Sequence, residues 1–173
     1  DLSGKLAVVT GGNGGIGLGM ARGLAQAGAR IVVVGRDTEK SAMAVQALRV
    51  EGHDAEAVAA DVTDEAAVAA LFGQLREDHG RVDILVNNAG TSIRKPPQAL
   101  TLQDFRTVLD INLTSAFLCC RAAYPLMKAR GGKIVNIGSM LSIGVAPQAD
   151  ADGASKGGIV QYTRSLATAW AAD

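Results

Sequence analysis

The chain has 173 residues, 48% of them hydrophobic, enough for one core that removes roughly two-thirds of the unfolded surface from water. Lys plus Arg and Asp plus Glu each total 17, a balance that offers no polyanion-binding surface and argues against nucleic acid as a partner. The two cysteines, Cys119 and Cys120, are adjacent in an apolar stretch, which gives neither a disulfide framework nor a metal-ligand spacing and fits buried reduced thiols. No apolar run reaches the roughly 18 residues of a membrane span and residues 1–5 carry no signal-peptide pattern, so a soluble cytoplasmic protein is expected.

Along the chain, short β-branched runs alternate with longer Ala-rich amphipathic stretches. Residues 5–10, 30–34, 55–60, 82–86 and 133–137 read as strands, with helix patterns between them. Runs such as Leu6-Ala7-Val8-Val9 and Ile31-Val32-Val33-Val34 suit strands buried on both faces, which predicts an α/β fold with a parallel sheet covered by helices. Gly28 and Gly52 stand where helices need left-handed caps, and Thr38 and Thr63 or Asp64 where helices begin. A loop with Pro96-Pro97 precedes a long helix over about 102–129, which Pro125 should kink, and a last helix spans about 155–171. No linker, repeat or internal boundary interrupts the pattern, so residues 1–173 are expected to form a single domain. His53 and His79 fall in polar connections and read as solvated surface residues.

The first strand is followed by Thr10-Gly11-Gly12-Asn13-Gly14-Gly15-Ile16-Gly17, which opens a helix. Glycines there let the backbone approach a pyrophosphate, and the free N–H groups of the helix face the anion. A triphosphatase loop would need a Gly-Lys-Ser/Thr ending, and the segment has no lysine. Gly12, Gly14 and Gly17 satisfy GxGxxG, a weak signal alone; Thr10-Gly11, Gly15 and Gly17 also satisfy TGxxxGxG, and in that form the turn resembles the short-chain dehydrogenase/reductase family. Asp61-Val62, Asn87-Asn88-Ala89-Gly90, Asn112 in Asp110-Ile111-Asn112-Leu113, and Ser139 in Asn136-Ile137-Gly138-Ser139 extend the resemblance over the whole chain.

The resemblance implies a Rossmann-type, doubly wound parallel sheet of order 3-2-1-4-5, its crevice opening between strands one and four. It implies a dinucleotide held by Gly11, Asn13, Gly14, Gly15, Ile16 and Gly17, by Asp61 and Val62 against the adenine, and by Asn88, Ala89, Gly90 and Lys156. Ser139 would orient the oxygen of a small carbonyl or alcohol substrate, and Asn112 would hold a water beside Lys156. By themselves, Asp61 is more simply a helix cap and Asn112 a polar core residue. Ser139 is no hydrolase nucleophile, since Gly-x-Ser-x-Gly is absent. At the end of the second strand, Gly35 cannot bond ribose hydroxyls as an acid would, whereas Arg36 can pair with an extra phosphate. NADP is therefore expected over NAD, with Asp37 keeping NAD as the alternative.

Two positions depart from the family. Its catalytic pair is Tyr-x-x-x-Lys; Lys156 is present, but the tyrosine position holds Asp152, whose spacing predicts a helical ion pair with Lys156. The family's sixth strand, Pro-Gly turn, substrate lid and seventh strand have no counterpart here, so a C-terminally incomplete dinucleotide-binding domain is expected. The expected activity is NAD(P)-dependent hydride transfer; the alternative is an impaired nucleotide-binding pseudoenzyme or assembly subunit. Residues 91–96 and 110–117 look like the gluconate 5-dehydrogenase and deoxygluconate dehydrogenase subgroup, in which Arg94 or Lys95 would meet a sugar-acid carboxylate unless both are only exposed cations. A 3-oxoacyl substrate is the other option. The helices around Asn112 and after Lys156 are those through which family members pair, implying a homodimer or homotetramer.

Overall fold

The computed structural model describes all residues, 1–173. Five parallel strands lie in the order β3-β2-β1-β4-β5: β1 (Leu6–Thr10), β2 (Arg30–Gly35), β3 (Ala55–Ala59), β4 (Ile84–Asn87) and β5 (Lys133–Asn136). Between them run α1 (Gly15–Gln26), α2 (Thr38–Val50), α3 (Glu65–His79), α4 (Leu102–Leu109) and α5 (Ser115–Met127), and α6 (Asp150–Ala169) follows β5. The predicted doubly wound sheet and its strand order are therefore present. Strand ends differ from the sequence reading by one or two residues.

Alternation along the strands divides the core. Leu6, Val8, Val32, Val34 and Leu85 pack with α3 and α5, where Phe72, Leu75 and Ala123 are buried. Ala7, Val9, Ile31, Val33 and Val86 face α1 and α2, meeting Ala21, Ala25 and Leu48. Each large side chain buried this way stabilises the fold by roughly 1.5–3 kcal/mol. Because every pairing is parallel, Thr10, Gly35, Asn87 and Asn136 all finish at one edge. The loops that follow them gather there.

Helix boundaries carry most of the corrections. Gly28 and Gly52 do adopt left-handed backbone, at φ 102° and 87°. The cap of α2 is Asp37, one residue before Thr38, its carboxylate accepting from the Lys40 amide at 2.9 Å. Asp64 caps α3, accepting from Ala66 and Ala67. The long helix predicted over 102–129 is interrupted at Asp110–Thr114, which forms a π-turn, while α5 runs on through Pro125. The last helix begins at Asp150, earlier than its apolar pattern indicates, because Asp150 and Asp152 favour a first turn where the helix dipole is positive. His79, at the end of α3, is shielded and not solvated: its Nε2 lies 2.6 Å from Glu56, and its side chain is 11% exposed. His53 is likewise mostly covered.

Cys119 and Cys120 are free and buried on α5. Burial, helped by its neighbour's charge, pushes Cys119 up to about 12; burial pushes Cys120 up to about 11 against the bonds from Tyr162 and Asn87. The folded values lie above those of an unfolded thiol. Their contribution to stability is therefore complete below the ordinary thiol value of about 8.5 and is lost as pH climbs through the folded values. Labelling by a thiol reagent at pH 8 should follow global unfolding, with folded protein at least about 100-fold slower than urea-unfolded protein. Fast labelling without unfolding would contradict the buried assignment.

Candidate active site

The glycine-rich turn is fixed from both sides. Thr10, buried at the end of β1, accepts the backbone N–H groups of Asn88 and Ala89 on its Oγ1, each at 3.0 Å. Asn88 Nδ2 donates in return to the carbonyls of Thr10 and Gly11, at 3.0 and 3.2 Å. The ends of β1 and β4 are thus stitched together at the point where the sheet reverses its order, the usual ligand site of such folds. Gly11 turns at φ 62° and Gly15 at φ 51°. A side chain at Gly17 would strike the Gly11 carbonyl oxygen at 2.2 Å. Helix α1 starts with no side-chain cap and no acid in its first turn, whereas α2, α3 and α4 are capped by Asp37, Asp64 and Thr101. Its first amides are left for an anion.

A crevice of about 670 Å³ opens over this turn, within the roughly 300–1,000 Å³ range of cofactor sites. The turn lines it through Gly11, Asn13, Gly14, Ile16 and Gly17; across from these stand Asn88, Ala89, Gly90 and Lys156. Arg36, Lys40, Asp61 and Val62 line the end near β2 and β3. At that end Arg36 is largely exposed, its Nη1 3.6 Å from Asp61. Asp61 does not cap α3: its carboxylate accepts the Thr63 amide at 3.0 Å and the Thr63 hydroxyl at 2.7 Å. Those bonds, more than the nearby Arg36, hold its carboxyl below the usual carboxylate range. Gly35 packs so close to Asn13 that a Cβ would come 2.5 Å from Asn13 Nδ2, which is bonded to Ser41 at 3.0 Å. An acid at position 35 would have no room without moving Asn13.

At the opposite end, Asn112 is buried within the π-turn. Its Oδ1 accepts the Thr91 amide at 2.7 Å, and its Nδ2 faces the Thr91 carbonyl and Ser155 Oγ, each at 3.0 Å, and Asp152 Oδ1 at 3.3 Å. A widened turn suits this. Ser115 N–H reaches back five residues to the Asp110 carbonyl, and the extra residue turns the asparagine inward. Lys156 Nζ donates to the Ile137 carbonyl at 2.6 Å. The expected Asp152–Lys156 ion pair does not form, because backbone and Asn112 offer each charge a nearer partner. Burial lowers the Lys156 pKa and the charge of Asp152 works against that shift. Ser139 is exposed and caps a 3-10 turn, Met140–Ser142, accepting from the Leu141 amide at 3.2 Å. Neither Ser139, Asn112 nor Asp152 lines the crevice directly.

Of the two loop cations, Lys95 is bound to Asp104 at 2.7 Å, and this bond above all holds Asp104 down to about 2. Arg94 is exposed and makes no ion pair. The sequence reading placed Thr10 in the glycine motif without a role of its own and missed Thr91 and Lys40. Neither Thr91 nor Lys40 carried a local signal that could have marked it.

Comparison with known proteins agrees with this geometry. The profile described as short chain dehydrogenase matches residues 5–173. A 3beta-hydroxysteroid dehydrogenase of Mediterraneibacter gnavus is 39% identical over 96% of this chain and 61% of its own length. A gluconate 5-dehydrogenase of Gluconobacter oxydans is 38% identical over 98% of this chain and 67% of its own. The crystal structure of a gluconate 5-dehydrogenase from Burkholderia cenocepacia, in complex with NADP and tartrate, superposes with a TM-score of 0.94 at 39% identity, over 98% of this chain and 67% of that one. The chain thus spans about two-thirds or less of the length of these proteins. By sequence, by sheet order and by the stitched glycine turn, it belongs to the short-chain dehydrogenase family.

Proposed function

We propose that this chain is the nucleotide-binding part of an NADP-dependent oxidoreductase that exchanges hydride with a carbonyl or alcohol. The observation that carries the reading is the single crevice into which the uncapped α1 amides, Arg36, the Asn88–Gly90 segment and Lys156 all open. When bound, the cofactor would supply the hydride as NADPH or accept it as NADP+. The amides at Gly15, Ile16 and Gly17 would hold the pyrophosphate and Arg36 the extra phosphate, while Asp61 and Val62 would flank the adenine. Ser139 has its hydroxyl proton free to orient a substrate oxygen, since its bond to Leu141 uses only a lone pair. Lys156, half-buried with a lowered pKa, is poised to lend charge to a proton-transfer group beside it.

A sugar-acid substrate is supported by the relatives' names and by Arg94, the loop cation left without an acid partner. A 3-oxoacyl thioester is the alternative, in line with a similar rhamnolipid-biosynthesis reductase of Pseudomonas aeruginosa. Phe117, 42% exposed and edge-on to Tyr162, supports a homodimer or homotetramer through α5 and α6. Asp152 at the tyrosine position favours a second reading, a nucleotide-binding subunit without turnover.

Titration with both nucleotides tests the cofactor. The charged bond to Arg36 is ordinarily worth roughly 1.5–3 kcal/mol, less at an exposed site, so NADP should bind about tenfold tighter than NAD. Equal affinities, or tighter NAD, would overturn the assignment.

A further inference from the structure

We infer that Lys40 is a second phosphate-reading cation of the crevice, lying over Gly14 to join Arg36 on the 2′-phosphate of NADP. The inference rests on the nucleotide-binding reading above. By sequence, Lys40 is an unremarkable lysine in the first turn of α2. In the fold its side chain crosses from α2 to the glycine turn, where its Cε and Nζ come within 2.8 and 2.9 Å of the place a Gly14 Cβ would occupy. It lines the same crevice as Arg36.

The charges around it are unequally committed. Asp37 is occupied as the α2 cap, accepting the Lys40 backbone amide and forming no ion pair with the ammonium. Asp61 is held by both donors of Thr63. Arg36 is only loosely tied, at 3.6 Å, and Lys40 makes no ion pair at all. Asp37 also lines the crevice, with one carboxylate oxygen used by the cap, and Asp61 is tied to Thr63, while both cations have donors to spare. Position 35 is glycine, and an acid there, which would bond a free ribose hydroxyl, would have to move Asn13 from its bond to Ser41. Such an end suits a phosphate monoester, whose three oxygens can take an arginine fork and a lysine point charge together. The pyrophosphate has its own donors in the α1 amides. Lys40 stands on the β2 side of the turn, over Gly14, where the adenosine ribose must lie if its phosphates sit at α1.

The test uses adenosine 2′,5′-bisphosphate and adenosine 5′-phosphate, which differ only in the group that Lys40 would read. Lys40→Gln should weaken the bisphosphate about tenfold and the monophosphate less than about twofold, and rising salt should narrow the gap between the ligands. Gly14→Ala gives an independent probe. Gly14 has φ −179°, open to any residue, so its new methyl would displace the flexible end of Lys40 and not the backbone. It should reproduce part of the lost preference. Equal weakening of both ligands by Lys40→Gln would move Lys40 to the shared phosphate and overturn the inference, as would no change in either. Failure of the unaltered chain to bind either nucleotide would instead overturn the nucleotide-binding reading, and this inference with it.

Discussion

Asp152→Tyr, made in a chain extended at its C-terminus with the segment of a full-length relative, is expected to reduce carbonyl substrates about 10²–10⁴ times faster than the same extended chain carrying Asp152. A phenol ordinarily holds its proton at neutral pH and can be tuned downward by a neighbouring ammonium, whereas a carboxylic acid has ordinarily lost its proton already. Geometry adds to this. The short Asp152 side chain is turned toward Asn112 and does not line the crevice. Lys156 lines it, but its ammonium is engaged with the Ile137 carbonyl. The substitution would also remove the charge that opposes the burial shift of Lys156, leaving burial unopposed and its pKa lower still. A lysine with a lowered folded pKa penalises the fold while charged, and the penalty fades as pH rises toward its unfolded value. The Tyr-bearing chain should accordingly gain stability with rising alkaline pH more than its parent. Consumption of NADPH by both extended chains, alongside their NADP affinities, checks the idea. Equal, robust rates at equal affinity would refute it, and activity only with tyrosine would favour a fold that keeps its cofactor site but lacks the acid.

The strands were legible because a parallel sheet covered on both faces demands uninterrupted β-branched runs, and few other structures would use Ile31-Val32-Val33-Val34. The glycine turn was legible because its constraint is local: residues six apart, Gly11 and Gly17, must touch. What sequence could not convey depended on distant partners. Nothing in Asp110-Ile111-Asn112-Leu113 distinguishes a π-turn from a helix until Thr91, from another loop, supplies the donor and acceptor that draw Asn112 inward. Pro125 carried the stronger local signal for a break, yet α5 continues through it, packed by Cys119, Ala123 and Met127 against the sheet. The predicted Asp152–Lys156 pair failed for the same reason: i,i+4 spacing offers a contact worth only about 0.2–0.5 kcal/mol, which a backbone carbonyl and a buried amide outcompete. Lys40 was invisible because its relation to Gly14 bridges two elements 26 residues apart.

Gly17→Ala should cost the chain both stability and its nucleotide. The added Cβ would lie 2.2 Å from the Gly11 carbonyl oxygen and 2.5 Å from Asn88 Nδ2. Neither neighbour can yield easily. The Gly11 carbonyl belongs to a turn whose own N–H is bonded to Val34 at 2.8 Å. Asn88 Nδ2 is the donor joining β4 to the Thr10 and Gly11 carbonyls. Relief requires α1 to lift away from the turn or Asn88 to give up those bonds, and either movement displaces the uncapped α1 amides proposed to hold the pyrophosphate. Overpacking of this kind costs about 1–3 kcal/mol, and each lost hydrogen bond about 1 kcal/mol more. For a domain of this size that lowers the melting temperature by roughly 5–15 °C, while displaced amides should weaken NADP by at least about tenfold. Gly23→Ala, on the same helix with nothing within 4 Å of its would-be Cβ, is the matched control. It should leave NADP binding unchanged and stabilise the helix by about 0.5–1 kcal/mol, since alanine loses less backbone freedom on folding. A Gly17→Ala chain that melts no lower than the Gly23→Ala chain and binds NADP as tightly would show that the seat of α1 on the glycine turn does not govern this crevice.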